Sequence, residues 1–358
     1  MSQSEEKASA DGAGGDGKGS SAPAMVIPPV ECFANTFSKQ LDSYKNEEDG
    51  SWENSKGSPF LNPTEESLLV SFYVSKLPSL IGPMAQVPRL RREAKVTATA
   101  ALLCRRFYLS NSVMCYDPKV IMVAAAFLAA KVEDAMTDVR YLEEGTNLMN
   151  APVTQSEILP AEIHLLSGID FDLLCFHPYK AVLSITEDLR TYLKSEKGKS
   201  LVRFPDGSTR PIVGQDLKPM HDSAQDIVND VIVSDIPLLY PPGQIGLAAL
   251  MVANEHQQEK DSNDSPQIDL LGYMSQRFEE ADQSSMTTVL HDLCGMIREL
   301  KDGKYGCANH NVDLQTLKGV HKKLKKCRAW GQKEKKKKRK NKDDTDTAEP
   351  EAKKAKTS

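Results

Sequence analysis

The chain contains 358 residues, of which 40% are hydrophobic and 27% are charged, and its formal net charge is −5. These values suit about two soluble globular domains with polar tails. No stretch approaches the roughly 18 apolar residues of a membrane span, and the N-terminus lacks the hydrophobic segment of a secretory signal. The seven cysteines have no disulfide-framework spacing, which suits reduced thiols. We therefore expect a cytosolic or nuclear protein with no membrane partner.

Basic residues are concentrated near the C-terminus. Residues 318–342 hold 14 lysines and arginines against one acid, Glu334, which leaves 31 basic and 49 acidic residues elsewhere, a net charge of −18. Because an acidic body repels the phosphate backbone, we expect no direct nucleic-acid partner. Six consecutive bases favour a nuclear localisation signal and hence a nuclear protein, with a solvated tail or a weak nucleic-acid contact of the tail as the alternatives. They are Lys335, Lys336, Lys337, Lys338, Arg339 and Lys340.

The first 63 residues divide into a tail and a helical segment. Residues 1–28 are rich in Gly, Ser, Ala and Asp, and we expect them to be disordered. Within residues 29–63, apolar side chains recur at spacings of three and four, which predicts an amphipathic helix followed by a polar connector. The stripe consists of Val30, Phe33, Phe37, Leu41 and Tyr44.

Helical patterns dominate a first predicted domain, residues 64–192. Asp117 is typical of a helix N-cap, with Pro118 in the first turn. Residues 135–153 are predicted to form a polar loop. Thr154 and Glu157 resemble a capping box, but Pro160 lies too deep for a plain helix, which therefore kinks or starts anew there. The five predicted helices begin near Thr64, Arg89, Pro118, Thr154 (or Pro160) and Pro178.

A polar insertion, residues 193–220, separates the first domain from a second, residues 221–300. Residues 202–213 favour a small hairpin around a Pro-Asp-Gly turn. Further helices are predicted over residues 221–233, 244–255, 269–281 and 284–300, with a charged loop at 257–266. A C-terminal helix is predicted within residues 301–330, and residues 331–358 should be disordered.

The helix after Pro118 is apolar almost all round and ends in charge at Lys131, Glu133 and Asp134. A helix without a polar face must be covered by others, so its charged end is held rigidly at the surface. The segment from Tyr116 to Ala129 recurs, offset by 124 positions, and Glu255 occupies the position of Lys131 in the copy. The pattern predicts an all-α protein with two tandem five-helix domains, not equivalent in function, flanked by N- and C-terminal helices.

Several motifs resemble the cyclins. The central helix closes with Phe127-Leu-Ala-Ala-Lys131-Val-Glu133, and the preceding helix contains Arg106-Phe-Tyr-Leu-Ser-Asn-Ser-Val-Met114. Phe176-His177-Pro178-Tyr179 and the segment from Leu238 to Leu247 are similar to helix entries in the same family. The resemblance covers roughly residues 30–328 and is most specific in the first repeat. It implies the duplicated cyclin fold and, most closely, the subfamily that serves the CDK-activating kinase.

The resemblance implies a non-catalytic subunit that binds and activates a cyclin-dependent kinase. Lys131 and Glu162 match the lysine and glutamate with which cyclins contact the kinase, and Phe127, Val132 and Glu133 belong to the same predicted surface. The implied partners are the kinase, a RING-finger assembly factor and the TFIIH core, and the implied substrates are cell-cycle kinases and the RNA polymerase II C-terminal tail. The alternatives are a cyclin C-like transcriptional cyclin and a TFIIB-like DNA-binding factor, which the acidic body disfavours.

No catalytic residues, cofactor or metal site are predicted. None of the seven histidines lies in a recognisable nucleophile motif. The nearest approach to a metal cluster is the set Cys294, Cys307, His310 and His321, but the spacing fits no zinc template. Cys294 also continues an apolar helical stripe, which favours a core cysteine.

Overall fold

The computed structural model describes residues 60–259, 266–277, 283–302 and 315–328. The expected N-terminal amphipathic helix and the six-base run lie outside these residues. The described chain is predominantly helical, as predicted. The first bundle contains α1 (Pro63–Val74), α2 (Leu77–Leu80), α3 (Ala94–Ser110), α4 (Pro118–Val132), α5 (Val139–Leu148) and α6 (Gln155–Gly168), with a short 3₁₀ turn at Pro88–Leu90.

The second bundle follows after a nine-residue connection. It contains α7 (Pro178–Tyr192), α8 (Glu196–Lys199), α9 (Gly214–Val231), α10 (Ile236–Leu239), α11 (Pro242–Glu259), α12 (Leu270–Arg277) and α13 (Gln283–Lys301), with strands β1 (Val202–Arg203) and β2 (Gln267–Ile268). Residues 315–328 form the last helix, α14. With the short helices α2, α8 and α10 set aside, the described residues give each bundle five main helices, so the duplicated all-α fold is confirmed.

Helix α4 is the centre of the first bundle. The Asp117 side chain caps it by accepting a hydrogen bond from the Lys119 amide at 3.0 Å, and Pro118 occupies its first position as predicted. Its residues from Ile121 to Ala130 are all buried, and α3 and α6 pack along it. Helix α11, which also begins with proline, holds the same central place in the second bundle between α7, α9 and α13. The equivalence of the two Tyr-x-Pro segments is therefore confirmed.

The predicted polar loop at residues 135–153 is wrong, because residues 139–148 form α5. Asp138 caps this helix, and its buried face consists of Leu142, Gly145 and Thr146. A Cβ atom on Gly145 would lie 2.9 Å from Leu90 Cδ1, so glycine permits close packing here. The buried face carries one large apolar side chain, which is why hydrophobic periodicity misses it.

Two helix boundaries also differ from prediction. Helix α3 begins at Ala94, whereas Arg89 lies in the 3₁₀ turn before it. Helix α6 is continuous from Gln155 to Gly168 with Pro160 inside it, so it does not start anew at the proline. The predicted Thr154–Glu157 box is present, since the Thr154 amide donates to Glu157 Oε2 at 2.9 Å.

The predicted hairpin in the insertion is wrong. Strand β1 pairs antiparallel with β2, which lies more than 60 residues further along the chain, with Val202 opposite Ile268. Helix α9 begins at Gly214, seven residues before the expected start at His221. The Val213 amide donates to Asp216 Oδ2 at 2.8 Å, so the carboxylate caps the helix that the polar composition concealed.

Packing groups α7 with the second bundle, whereas the sequence-based boundary at residue 192 groups it with the first. Helix α7 packs on α9 and α11. Gly246 of α11 permits this approach, because a Cβ atom there would lie 2.8 Å from Ala181 Cβ and 3.1 Å from the Val182 amide nitrogen. The first bundle has five main helices as expected, but α5 replaces α7 among them.

The two bundles contact each other through Arg105, and the last helix, α14, packs on the first bundle. Arg105 of α3 is buried, and its Nη2 donates to the Val233 carbonyl between the bundles at 2.6 Å. Helix α14 packs on the first bundle through its predicted stripe, which is buried: Leu317, Val320, Leu324 and Cys327. Ion pairs border that stripe, from Lys323 to Glu65 at 2.8 Å and from Arg328 to Asp117 at 2.7 Å.

Candidate functional site

The structure brings Lys131 and Glu162 together. Lys131 Nζ donates to Glu162 Oε1 at 2.7 Å and to Oε2 at 2.9 Å, so α4 and α6 are joined at the surface. The ammonium also lies 4.1 Å from the centroid of the Phe127 ring, one turn back on α4. The glutamate side chain is 12% exposed and the lysine side chain 40% exposed, so the carboxylate orients a cation that remains accessible.

The last turn of α4 is closed by a tight C-cap. Asp134 adopts φ +53°, and the Ala135 amide donates to the Ala130 carbonyl at 2.8 Å while the Asp134 amide donates to the Lys131 carbonyl. This is the Schellman pattern, in which glycine usually occupies the left-handed position. Arg92 holds the following turn by donating to the Ala135 carbonyl at 2.8 Å and to the Met136 carbonyl at 2.9 Å.

Glu133 lies on this turn but faces its own chain. Its Oε1 accepts a hydrogen bond from Thr99 Oγ1 at 2.6 Å and lies 3.6 Å from His177 Nε2. Thr99 Oγ1 in turn lies 2.7 Å from His177 Nε2. Burial lowers the pKa of His177, so its ring is neutral near pH 7. Val132 is half-buried against the core.

Exposed apolar side chains are concentrated in the segment of chain that includes and follows Glu162. Of the twelve large hydrophobic residues that are exposed in the described chain, five lie within residues 159–176: Leu159, Ile163, Phe171, Leu174 and Phe176. Leu159 and Ile163 of α6 are four residues apart and share one helix face, and Glu162 lies three residues after Leu159. Phe171 adopts φ +58° and is 67% exposed. Such clustering is typical of a protein-binding surface rather than of scattered surface residues.

Sequence reasoning missed these apolar residues. Ile163 is 65% exposed, whereas Leu165 of the same helix is buried. Helix α6 buries Ile158, Ala161 and Leu165 and therefore has apolar residues on two faces. A second apolar face next to a glutamate is the sequence feature that could have predicted these exposed residues.

The second bundle carries a reversed pair at the equivalent place. Glu255 of α11 accepts from Arg298 of α13 at 2.7 to 3.1 Å, with Glu255 at the repeat position of Lys131. On α13, Gly295 and Glu299 stand where α6 has Leu159 and Ile163 relative to the paired residue. The apolar frame of the first pair is thus absent here, and the two surfaces differ in both charge and polarity.

Other chemistry is not indicated among the described residues. They contain no group of three or more potential metal ligands, and no helix long and apolar enough to cross a membrane. Cys294 is buried, as predicted for a core cysteine, and burial raises its pKa to about 11. Cys307 and His310 lie outside the described residues.

Comparison with known families assigns the fold. Residues 80–174 match the N-terminal cyclin domain, and residues 177–329 match the cyclin C-terminal domain. Together the two matches cover more than half of the chain. The chain belongs to the cyclin family. The boundary between the cyclin domains falls just before α7, in agreement with the packing of that helix.

Cyclins of the H type are among its relatives. Cyclin-H1-1 of Arabidopsis thaliana is 27% identical over 267 residues, which cover 75% of this chain and 68% of that protein. Cyclin CCL1 of Saccharomyces cerevisiae is 31% identical over 54% of this chain and 43% of its own length, and Cyclin-H of Xenopus laevis is 27% identical over 53% of each. The chain thus spans about two thirds of the first cyclin and about half of the other two.

Two solved structures share the cyclin fold. A chain of the CAK complex from Chaetomium thermophilum bound to ATP-γ-S aligns with a TM-score of 0.62, at 22% identity, over 91% of this chain and 94% of that chain. A chain of the yeast TFIIK (Kin28/Ccl1/Tfb3) complex aligns with a TM-score of 0.50, at 23% identity, over 74% of this chain and 93% of that chain.

Proposed function

We propose that this cyclin is a regulatory subunit that binds and activates a cyclin-dependent kinase through the surface around Lys131 and Glu162. The observation that carries the proposal is the oriented, accessible ammonium of Lys131, paired with Glu162 on a helix that exposes Leu159 and Ile163. An apolar contact area with a few fixed polar anchors is what protein interfaces use. Cyclins are regulatory, non-catalytic subunits, and the H-type relatives support the assignment.

The activation mechanism follows from the geometry of kinases. A kinase aligns ATP only when its strand lysine is paired with the glutamate of its mobile helix. A partner that binds the helix only in its active position shifts the population towards that position. The apolar residues Leu159, Ile163 and Phe171 are suited to cover such a helix, while Lys131 supplies donors to its backbone. Glu162 fixes the direction of those donors.

The kinase is proposed to be the CDK-activating kinase associated with TFIIH. The relatives named cyclin H and the structural likeness to chains of the CAK and TFIIK complexes support this choice. A RING-finger assembly factor and the TFIIH core are the corresponding further partners, and the nucleus is the corresponding location. A cyclin C-like role would change the kinase but not the mechanism. A TFIIB-like role is disfavoured by the net charge of −18 outside the basic segment.

The first experiment identifies and then measures the partner. The tagged full-length chain is used to recover a kinase, which is then assayed on a peptide substrate with and without this chain. We expect activity to rise by at least about tenfold in its presence, because the active helix position is otherwise sparsely populated. Equal activity in both samples would reject the proposed function.

A charge reversal then tests the surface. Lys131→Glu removes the donor and places a like charge beside Glu162, and it should weaken kinase binding by about tenfold or more. Glu255→Lys is the matched control, because it creates the same kind of like-charge contact with Arg298 in the second bundle. It should change the kinase Kd by less than about twofold. Equal losses in the two variants would place the interface elsewhere.

A further inference from the structure

Three side chains form a small network at the end of α4. Thr99 is fully buried in α3, Glu133 is the C-cap residue of α4, and His177 is the N-cap residue of α7. Their polar atoms lie within 2.6 Å (Thr99 to Glu133), 2.7 Å (Thr99 to His177) and 3.6 Å (His177 to Glu133). The network therefore joins three helices at a point two residues from Lys131.

The direction of the hydrogen bonds can be assigned. An ionised carboxylate only accepts, so the single hydroxyl proton of Thr99 is donated to Glu133. The Thr99 oxygen must then accept from His177, which places the histidine proton on Nε2. His177 thus donates to Thr99, and Thr99 donates to Glu133. The second carboxylate oxygen of Glu133 lies 3.8 Å from Lys95 Nζ. Glu133 is only 18% exposed, so little of it remains for a partner.

The network acts on the turn that carries Lys131. Glu133 follows the last residue of α4, and the left-handed residue Asp134 comes next. The backbone strain at Asp134 persists only when its surroundings hold it. Arg92 holds the turn from one side through two carbonyl groups, and the carboxylate of Glu133 is held from the other. Both anchors therefore contact the turn that directly follows Lys131.

We infer that Thr99 and His177 are positioning residues for kinase binding: through Glu133 they fix the last turn of α4 so that Lys131 meets Glu162. Glu133, which the family resemblance assigns to the contact surface, then supports kinase binding by holding this turn and not by touching the kinase. The inference rests on the proposed function, because the role of Lys131 at the interface comes from that proposal.

A double-mutant cycle distinguishes positioning from general stability. The full-length chain carrying Thr99→Val, Lys131→Ala or both is titrated with a purified kinase of the CDK-activating type. If Thr99 acts through Lys131, Thr99→Val raises the Kd by about tenfold when Lys131 is present and by less than about twofold when it is absent. A loss of the same size in both backgrounds would overturn the inference, since it would mean a general structural role.

Thr97→Val is the matched control. Thr97 is also buried in α3, but its hydroxyl donates to the Ile81 carbonyl at 2.7 Å, outside the network. It should leave the Kd within about twofold in both backgrounds, and a tenfold effect equal to that of Thr99→Val would count against the network. Thr99→Ser keeps the hydroxyl and should restore binding; failure to do so would also refute the role of the hydroxyl.

A second probe covers the case in which Thr99→Val does not fold. His177→Leu removes the donor to Thr99 from a different helix and is judged by the same cycle with Lys131→Ala. The outcomes separate the two proposals. If Lys131→Ala alone leaves the Kd unchanged, the proposed surface fails and the positioning role fails with it. If Lys131→Ala weakens binding but both network variants are additive with it, only the positioning role fails.

Discussion

At the scale of single residues, the pair of Lys131 and Glu162 is better suited to orientation than to stability. Exposed ion pairs contribute only about 0–1 kcal/mol to folding, and the lysine side chain is 40% exposed. Its second contact, with the Phe127 ring, restricts the ammonium further. The lysine side chain is therefore preorganised, which lowers the conformational entropy that it loses when a partner binds.

Asp134 offers a test of strain at the same turn. A non-glycine residue in the left-handed region costs about 1 kcal/mol or more, and Asp134 has φ +53°. We expect Asp134→Gly to raise the melting temperature by a few degrees. Gly207→Ala is the reciprocal control, because Gly207 has φ +70° with nothing near its absent Cβ. It should lower the melting temperature; a rise would contradict the assignment of strain.

His177 makes a prediction for pH. Burial lowers its pKa in the folded protein below the usual 6.5, while the unfolded chain keeps the usual value. The unfolded state then binds more protons as the pH falls below about 6.5, so stability is lost on acidification. Melting temperatures at pH 7.5 and 5.5 should show a drop that is smaller in His177→Gln. An equal drop in both proteins would remove His177 from the explanation.

At the scale of helices, the contact between α7 and α11 depends on one glycine. Gly246→Ala would press a methyl group against Ala181 and the Val182 backbone, and overpacking of this kind costs about 1–3 kcal/mol. Gly243→Ala is the control in the same helix, since nothing lies within 4 Å of its absent Cβ. Thermal melting should show a loss for the first variant and no loss for the second. Equal stability of the two would contradict the close approach.

The sequence predicted helices where apolar periodicity and caps coincide. Helix α4 is the best example, because Asp117, Pro118 and a continuous apolar run all indicate the same element. Helix α5 was missed because two of its three buried residues, Gly145 and Thr146, are not counted as apolar. The strand pairing of Val202 with Ile268 could not be predicted, since three helices separate the two strands along the chain.

The candidate site was only partly accessible from the sequence. The partnership of Lys131 with Glu162 came from family resemblance, because 30 residues separate them and charge alone does not choose a partner. The inward direction of Glu133 could not be predicted, since it depends on Thr99 of one helix and His177 of another. Contacts between short polar side chains of different helices leave no periodic pattern in the sequence.

At the scale of the whole molecule, Arg105 is a tie between the two bundles. Arg105→Met keeps much of the side-chain volume but removes the donor to the buried Val233 carbonyl, at a cost of about 1–3 kcal/mol. We expect a lower melting temperature and a larger radius of gyration in small-angle scattering. Arg106→Met is the control, because Arg106 contacts Leu174 within the first bundle. An unchanged radius in both variants would contradict a tie between bundles.

The opposite polarity of the two ion pairs has a consequence for how a duplicated chain folds. Both repeats offer a proline-led central helix and a partner helix, so mispairing between repeats is a hazard during folding. If α11 packed against α6, Glu255 would meet Glu162; if α4 packed against α13, Lys131 would meet Arg298. Both exchanges place like charges together, whereas both native pairings satisfy them. The reversed charges thus disfavour packing of each central helix against the partner helix of the other repeat.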